Sequence, residues 1–443
     1  MKLDVPYVRR QFPALARTID GHPVAYFDSP GGTQVPQRVA DAVTDYLLGH
    51  NSNTHGFFAS TIETDHILAD ARDALADFLG CDWDEVAFGA NTTTLNFLLA
   101  HSLVRDLREG DEIVLTEIDH EANRGPWISL QDRGVVLREA PVDPATCTLD
   151  WDAFERLVNE RTRIVATVWA SNAVGTINDV ARVVELARSV GALTVIDAVH
   201  YALHGVIDVA ALGCDFLLCS AYKFFAPHVG VLYARREAAE LVRPLRLRTQ
   251  LHETPFKFET GTLNHEGIAG AGAAVDFIAD LGRHHLRRVA ADAELGPRLE
   301  GLPGRRRRIV AGMLAAEAHE QPLARRLIEG LRDISGVTVY GPPDGHPRTS
   351  TVAFTVDGMR PEEVCRRLGR EGLFLWDGHF YAIRLVERLG LIDDGGLVRA
   401  GLAPYTAPRE VERLLAAVRR LAPGGRGAAG TAGRRPTRPA AEA

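Results

Sequence analysis

From about residue 85 onward the chain alternates two patterns. Short runs that are apolar almost throughout, "EVAFG", "DEIVLTEI", "VVLREAPV", "RIVATVWAS", "ALTVIDAV", "FLLCSAY" and "VGVLYAR", are interleaved with longer stretches in which apolar residues recur every three or four positions, "TTTLNFLLAHSLVRDL", "NRGPWISLQDRG", "LDWDAFERLVNE" and "VARVVELARSVG". The first kind reads as strand and the second as amphipathic helix. Strands without polar alternation are buried on both faces, so the pattern predicts an α/β fold with a mostly parallel sheet between layers of helices. After about residue 290 long arginine-rich amphipathic helices surround a strand pair, "VTVYG" and "TVAFTV", and "LVRAGLAPYT" precedes a last helix, "PREVERLLAAVRRL". This predicts a second, smaller α/β domain. The expected organisation is an N-terminal segment over 1–20 packed with the small domain, a large domain over 21–288, the small domain over 289–421, and a tail over 422–443. That tail is Gly, Ala, Pro and Arg with almost no bulky apolar residue, and is expected to be disordered. The run "RRRR" at 305–308 is expected to be a solvated helix face or loop.

Composition narrows the partners. The formal net charge is −8, and the tail holds four arginines against one acid, so the body is more acidic than the whole. That argues against nucleic acid as a partner. No stretch approaches the roughly 18 uninterrupted apolar residues of a membrane span, and the opening lacks a signal-peptide run, so a cytoplasmic protein with no membrane partner is expected. Five cysteines, at 81, 147, 214, 219 and 365, are odd in number and scattered, which favours buried free thiols over a disulfide framework or a zinc ribbon. No metal is expected: His200 and His204 stand four apart, but Tyr201 occupies the place where a zinc protease needs Glu.

In open parallel sheets ligands sit beyond the carboxyl ends of the strands. The residues there are Asn91, Thr92, Thr93 and Thr94 opening a helix; Asp119 and His120; Ser171 and Asn172; Asp197 and, three residues later, His200; and Ser220, Tyr222 and Lys223. Any one of them could be a satisfied structural residue. Lys223 is unusual on other grounds, because the chain contains three lysines, at 2, 223 and 257, against 47 arginines. An amine can lose its proton and attack a carbonyl, whereas guanidinium cannot. Ser220 to Lys223 also spells the S-x-x-K of serine acyl-enzymes, but the partner tripeptides S-D-N and K-T-G are absent.

Pyridoxal phosphate needs such an inventory: an amine for its aldehyde, a carboxylate facing its ring nitrogen, a flat group over the ring, a donor to its phenolic oxygen and a cup for its phosphate. The chain resembles a class V, fold type I aminotransferase, closest to the cysteine desulfurase-like subgroup, over a span from "YFDSPGGTQVP" near 26 to "LAPYTAPREVERLL" near 415. The resemblance implies a large domain with a mostly parallel seven-stranded sheet between helices. It implies that Lys223 in "SAYK" holds the cofactor and shuttles the substrate α-proton, that Asp197 in "VIDAVH" faces the ring nitrogen, and that His120 in "EIDHEAN" stacks on the ring. Asn172 in "ASNAVGT" and His200 would lie near the phenolic oxygen; desulfurases usually have Gln where His200 stands, and kynureninases His. Thr92, Thr93 and Ser220 would contact the phosphate, and Tyr222 replaces a family His. Thr262 in "FETGTLN" would reach the phosphate of the neighbouring subunit in a homodimer, and Arg399 in "LVRAGLAPY" would grip an α-carboxylate.

One position departs from the desulfurase pattern. The loop that carries the catalytic cysteine of that group aligns with "LWDGHFYAIRLV", which places Tyr381 there, while Cys365 lies in a helical pattern. A phenol with a pKa of about 10 is a poor substitute for a thiolate. The expected reaction is therefore C–S lysis or a related β-elimination of a sulfur-containing amino acid. Transamination, racemisation or epimerisation, a desulfurase using another thiol, and a non-catalytic scaffold are the alternatives. Trp376, His379, Phe380 and Tyr381 either line the substrate side of the pocket or pack the small domain.

Overall fold

The computed structural model describes residues 2–423, so the expectation of a disordered tail falls, but for its first two residues, outside the described residues. The seven apolar runs form one seven-stranded sheet: β1 (Val86–Gly89), β2 (Glu112–Thr116), β3 (Val136–Ala140), β4 (Thr162–Val168), β5 (Leu193–Asp197), β6 (Phe216–Ser220) and β7 (Gly230–Ala234). Their spatial order is β1-β7-β6-β5-β4-β2-β3. All neighbours are parallel except those of β7, which runs antiparallel between β1 and β6. Every residue of β2, β6 and β7 is buried. The uninterrupted apolar spelling thus reflects a sheet covered on both faces.

Helices α1 (Ala59–Leu79), α2 (Thr92–Leu103), α3 (Glu121–Ile128) and α4 (Val180–Ser189) flank this sheet, followed by two long helices, α5 (His265–Ala290) and α6 (Gly304–Arg332). The first half of α6 places Ile309, Val310 and Leu314 in the core shared with the large sheet; its second half places Leu323, Leu327 and Leu331 in a separate core under a smaller sheet. That sheet has four strands, β8 (Val337–Tyr340), β9 (Thr351–Val356), β10 (Trp376–Gly378) and β11 (Leu397–Gly401), in the order β8-β9-β11-β10. The sequence pattern reveals only β8 and β9. The "WDG" of β10 has no apolar alternation, and the "LVRAG" of β11 reads as the lead-in to a helix. Helices α7 (Pro361–Arg370) and α8 (Pro408–Leu421) complete the second core. The opening segment bridges the two cores: Leu3, Val8 and Phe12 enter the first, while Arg9 donates to the Tyr405 carbonyl and pairs with Glu410 of α8.

One member of the arginine run at 305–308 departs from the expected solvated face. Arg306 is buried and donates to the carbonyls of Asp77 and Phe78 at the end of α1 and to that of Ile207. It satisfies helix-terminal acceptors that would otherwise be orphaned, a use of arginine that a charge pattern does not display. Among the described residues no helix is long and apolar enough to cross a membrane.

Helices α5 and α6 cross at two glycines. A Cβ on Gly312 would collide with the Ile278 carbonyl, and one on Gly282 with the Arg308 carbonyl, so the backbones touch directly. Gly312→Leu is expected to destabilise the protein by about 3 kcal/mol through overpacking, read as a fall in the urea midpoint. Gly369→Ala on α7, where an added Cβ meets nothing within 4 Å, is expected to show no such loss.

Candidate active site

Five strand ends of the large sheet converge on one cavity, lined by Thr92, Thr93, His120, Asn172, Asp197, His200, Ser220, Tyr222 and Lys223, with Ala122, Val168, Ala170 and Val199 between them. Nine of the ten residues the sequence offers for holding a cofactor are therefore brought together. At one end, the Asn91 side chain accepts from the Thr94 N–H at 2.8 Å and caps the start of α2, while the Thr92 and Ser220 hydroxyls meet at 2.6 Å. Hydroxyls and free N–H groups at a helix start form a cup suited to a phosphate.

Lys223 closes a single 3-10 turn immediately after β6 and is almost fully buried. Its Nζ donates to the Pro30 carbonyl and lies 4.9 Å from the centre of the Tyr222 ring. Burial first, and Arg399 second, push the amine down to about 7, against the pull of Asp197 and Asp28. Tyr222 in turn stacks on His228, with ring centroids 4.7 Å apart, and packs against the Gly32 backbone.

Asp197 ends β5, and its Oδ1 accepts from the Val199 N–H at 2.9 Å. Burial pushes its carboxyl up to about 7. A cationic partner, such as a protonated ring nitrogen, would favour its ionised form. His120 caps α3: its Nδ1 accepts from the Ala122 N–H at 2.9 Å, which puts the ring proton on Nε2. Burial, with Lys223 and Arg399 nearby, lowers it to about 4, so the ring is neutral at physiological pH. The Nδ2 of Asn172 donates to the Phe380 carbonyl at 2.8 Å while its Oδ1 is buried without a partner. The Nε2 of His200 lies 2.9 Å from the Thr351 hydroxyl and 3.2 Å from that of Thr349. Burial holds His200 well below its usual value.

Arg399 on β11 is buried, donates to the Asn172 carbonyl at 3.0 Å, and lies with its Cζ 4.1 Å from the Phe380 ring centre. Burial lowers it to about 9, so it stays cationic at neutral pH. Tyr381 and His379 do not line this cavity; the Tyr381 ring lies 5.4 Å from that of His120, and its carbonyl accepts from the Glu121 N–H. The Nδ1 of His379 accepts from the Tyr381 N–H at 3.1 Å. Thr262 is not in this cavity. It lines a separate one of about 790 Å³, with Asn53, Arg72, Trp83, Leu247 and Leu251.

Two strand-end residues prove structural. Asp119 is fully buried, accepts from the Thr116 N–H and hydroxyl and from Asn123, and so ties β2 to α3. The Ser171 hydroxyl accepts from the N–H groups of Ala173 and Val174. Sequence reasoning missed Asp28, whose carboxyl is pushed up to about 6 by burial and faces Arg399, Trp376 and Lys223. The Asp-Ser-Pro-Gly-Gly run at 28–32 was the available signal, since an acid ahead of two glycines marks backbone that others can approach closely.

The residues fit pyridoxal phosphate: a deprotonatable amine and a carboxylate share one cavity, a neutral imidazole borders it, hydroxyls and a helix start form one end, and the Asn172 Oδ1 awaits a donor. The comparisons agree. The aminotransferase class-V family model matches residues 25–307 and 309–414. A cysteine desulfurase of Pectobacterium carotovorum subsp. carotovorum (strain PC1) is 30% identical over 438 residues, covering 95% of this chain and 98% of that protein. A probable cysteine desulfurase of Mycolicibacterium paratuberculosis (strain ATCC BAA-968 / K-10) is 33% identical over 95% of this chain and 59% of its own length. Among solved structures, the apo cysteine desulfurase of Thermococcus onnurineus NA1 superposes with a TM-score of 0.82 at 27% identity, over 95% of this chain and 98% of that one. The Escherichia coli cysteine desulfurase CsdA does so with 0.79 at 27% identity, over the same shares. This chain belongs to the class-V aminotransferase family and is a pyridoxal-phosphate enzyme of the cysteine desulfurase-like kind.

Proposed function

We propose that the enzyme acts on a sulfur-containing amino acid by removing its α-proton and breaking the Cβ–S bond, a β-elimination that leaves no persulfide on the protein. The observation that carries this reading is the state of the thiols. All five cysteines are free, and burial raises every one: Cys147 to about 11, and Cys81, Cys214, Cys219 and Cys365 further still. Such thiols are protonated at neutral pH and are poor nucleophiles. Cys365 packs on α7 against the small-sheet core, and Tyr381 stands in the loop that aligns with the one carrying the desulfurase cysteine.

Bound pyridoxal phosphate supplies an electron sink that weakens the bonds at Cα. The chain supplies the rest. Arg399 offers a planar cation to the α-carboxylate, with its orientation fixed by Phe380 beneath and the Asn172 carbonyl beside it. Lys223, poised near neutrality, takes the α-proton. Neutral His120 and the Asp197 carboxyl border the same cavity as the flat group and the ring-nitrogen partner. We also infer a homodimer in which Thr262 serves the neighbouring site. Leu47, Leu48, Phe57, Phe58, Leu247 and Leu251 are exposed, and the last two share the Thr262 cavity. So many large apolar residues in one region mark an association surface.

Three outcomes are expected. Capture of pyridoxal phosphate by the apoprotein, followed by visible absorbance, is expected to speed up about tenfold per pH unit below about pH 7 and to level off above it, because only the neutral Lys223 amine attacks the aldehyde. Lys223→Ala is expected to abolish it. With L-cysteine, the enzyme is expected to release sulfide and pyruvate while intact-protein mass spectrometry detects no added sulfur; a persulfide on Cys365 with turnover would sink the reading. In sedimentation velocity the protein is expected to run as a dimer, and Phe57→Glu with Leu48→Glu to shift it toward monomer.

A further inference from the structure

Arg399 lies in an aromatic frame that a small thiol substrate would not use. Trp376 is its direct partner across the β10–β11 ladder, so indole and guanidinium leave the same face of the sheet. Phe380 lies flat beneath the guanidinium, and Tyr381 extends the frame to His120. Phe380 and Tyr381 have φ of 53° and 58°, a conformation that bulky side chains rarely adopt. It is enforced by three bonds: Asn172 Nδ2 to the Phe380 carbonyl, the Glu121 N–H to the Tyr381 carbonyl, and the Ala382 N–H to the His379 carbonyl, each 2.8 Å. Trp376 and Tyr381 are 53% and 63% exposed. Single exposed aromatics are ordinary. Two such residues, one paired with Arg399 across the ladder and the other adjacent to the Phe380 that the guanidinium covers and held in an enforced backbone conformation, form a surface with a use.

We propose that the substrate side chain carries a flat apolar group that lies between Trp376 and Tyr381 while Arg399 holds the α-carboxylate. The location of the site rests on the carboxylate role proposed above for Arg399; the class of side chain does not rest on the elimination. Taken together, the two assign an S-substituted cysteine with an aromatic or similarly flat S-substituent. The step balances: the α-proton goes to Lys223, the Cβ–S pair leaves on sulfur and takes up a proton as a thiol, and water converts the three-carbon fragment to pyruvate and ammonium. Such an elimination needs no protein thiolate, consistent with the raised thiols.

The test uses the holoenzyme with L-phenylalanine and L-alanine, which have no leaving group at Cβ, in isothermal titration calorimetry. L-Phenylalanine is expected to bind about tenfold tighter or more, and Trp376→Ala and Tyr381→Ala each to narrow that ratio about three- to tenfold, with Tyr381→Phe keeping it. Unchanged cofactor absorbance shows that the variants are folded. Equal affinities in the unaltered enzyme, or variants that weaken both ligands alike, would overturn the proposal. Pyruvate release from S-phenyl-L-cysteine and S-methyl-L-cysteine separates the two readings. A binding preference without pyruvate from either compound supports the side-chain class and sinks the elimination. Pyruvate from both with no binding preference does the reverse.

Discussion

The site depends on a single electrostatic constraint: an amine and two carboxyls are held out of water beside a buried guanidinium. Burial is the largest influence on Lys223, Asp197, Asp28 and Arg399 alike, and in each case it disfavours the charged form. In water the lysine would be protonated and inert toward an aldehyde. Here it is close to neutrality because the cavity removes solvent and Arg399 adds a like charge. Asp197 is held near its own midpoint by the same burial, so a cation bound beside it would tip it to the ionised form. The desolvation of Asp197 is unfavourable, and a cationic ring nitrogen bound beside it would relieve that cost.

The parallel sheet makes that arrangement possible. Six strands point their carboxyl ends the same way, so residues distant in sequence arrive at one rim without long loops. Only β7 runs against the rest, and its start lies beside the end of β6, where it frames the turn that carries Lys223. A side chain placed on such a rim inherits the rigidity of a sheet whose central strands are buried on both faces, which suits a reaction that depends on the angle of attack.

The large sheet is legible in the sequence because strands buried on both faces cannot hide their composition, and the residues just after them follow from the topology. Lys223 stands out because arginine fills nearly every other cationic position. Asp119 and Ser171 show the limit: strand-end polar residues also close turns and join strands, and only the hydrogen bonds separate the two uses. Arg306 shows another, since a run of like charges conceals one member that caps a helix. Strands β10 and β11 are invisible because β10 is only three residues long and the polar Asp377 and Arg399 break any run of apolar positions. Asp28 is missed because its partners, Arg399 and Trp376, lie hundreds of residues away and nothing local announces them.

The same non-local logic explains how the small sheet is fixed to the cavity. His200 reaches from the end of β5 to the hydroxyls of Thr349 and Thr351 at the start of β9. One turn further on, His204 Nδ1 meets Glu320 of α6 at 2.7 Å, and Ser350 donates to the same carboxylate at 2.7 Å. All of these side chains are buried, and the Nε2 of His204 and the Oε1 of Glu320 have no partner. An apolar joint would be cheaper, because each orphaned polar atom costs about 1–3 kcal/mol. A polar joint has directionality that an apolar one lacks: hydrogen bonds fix the rotation of α6 and β9 relative to β5, whereas apolar side chains tolerate sliding. Because β9 carries β11 beside it, fixing β9 fixes Arg399 against Lys223. The separation of Arg399 from Lys223, which no single element determines, is thus set by a chain of hydrogen bonds that crosses from one sheet to the other.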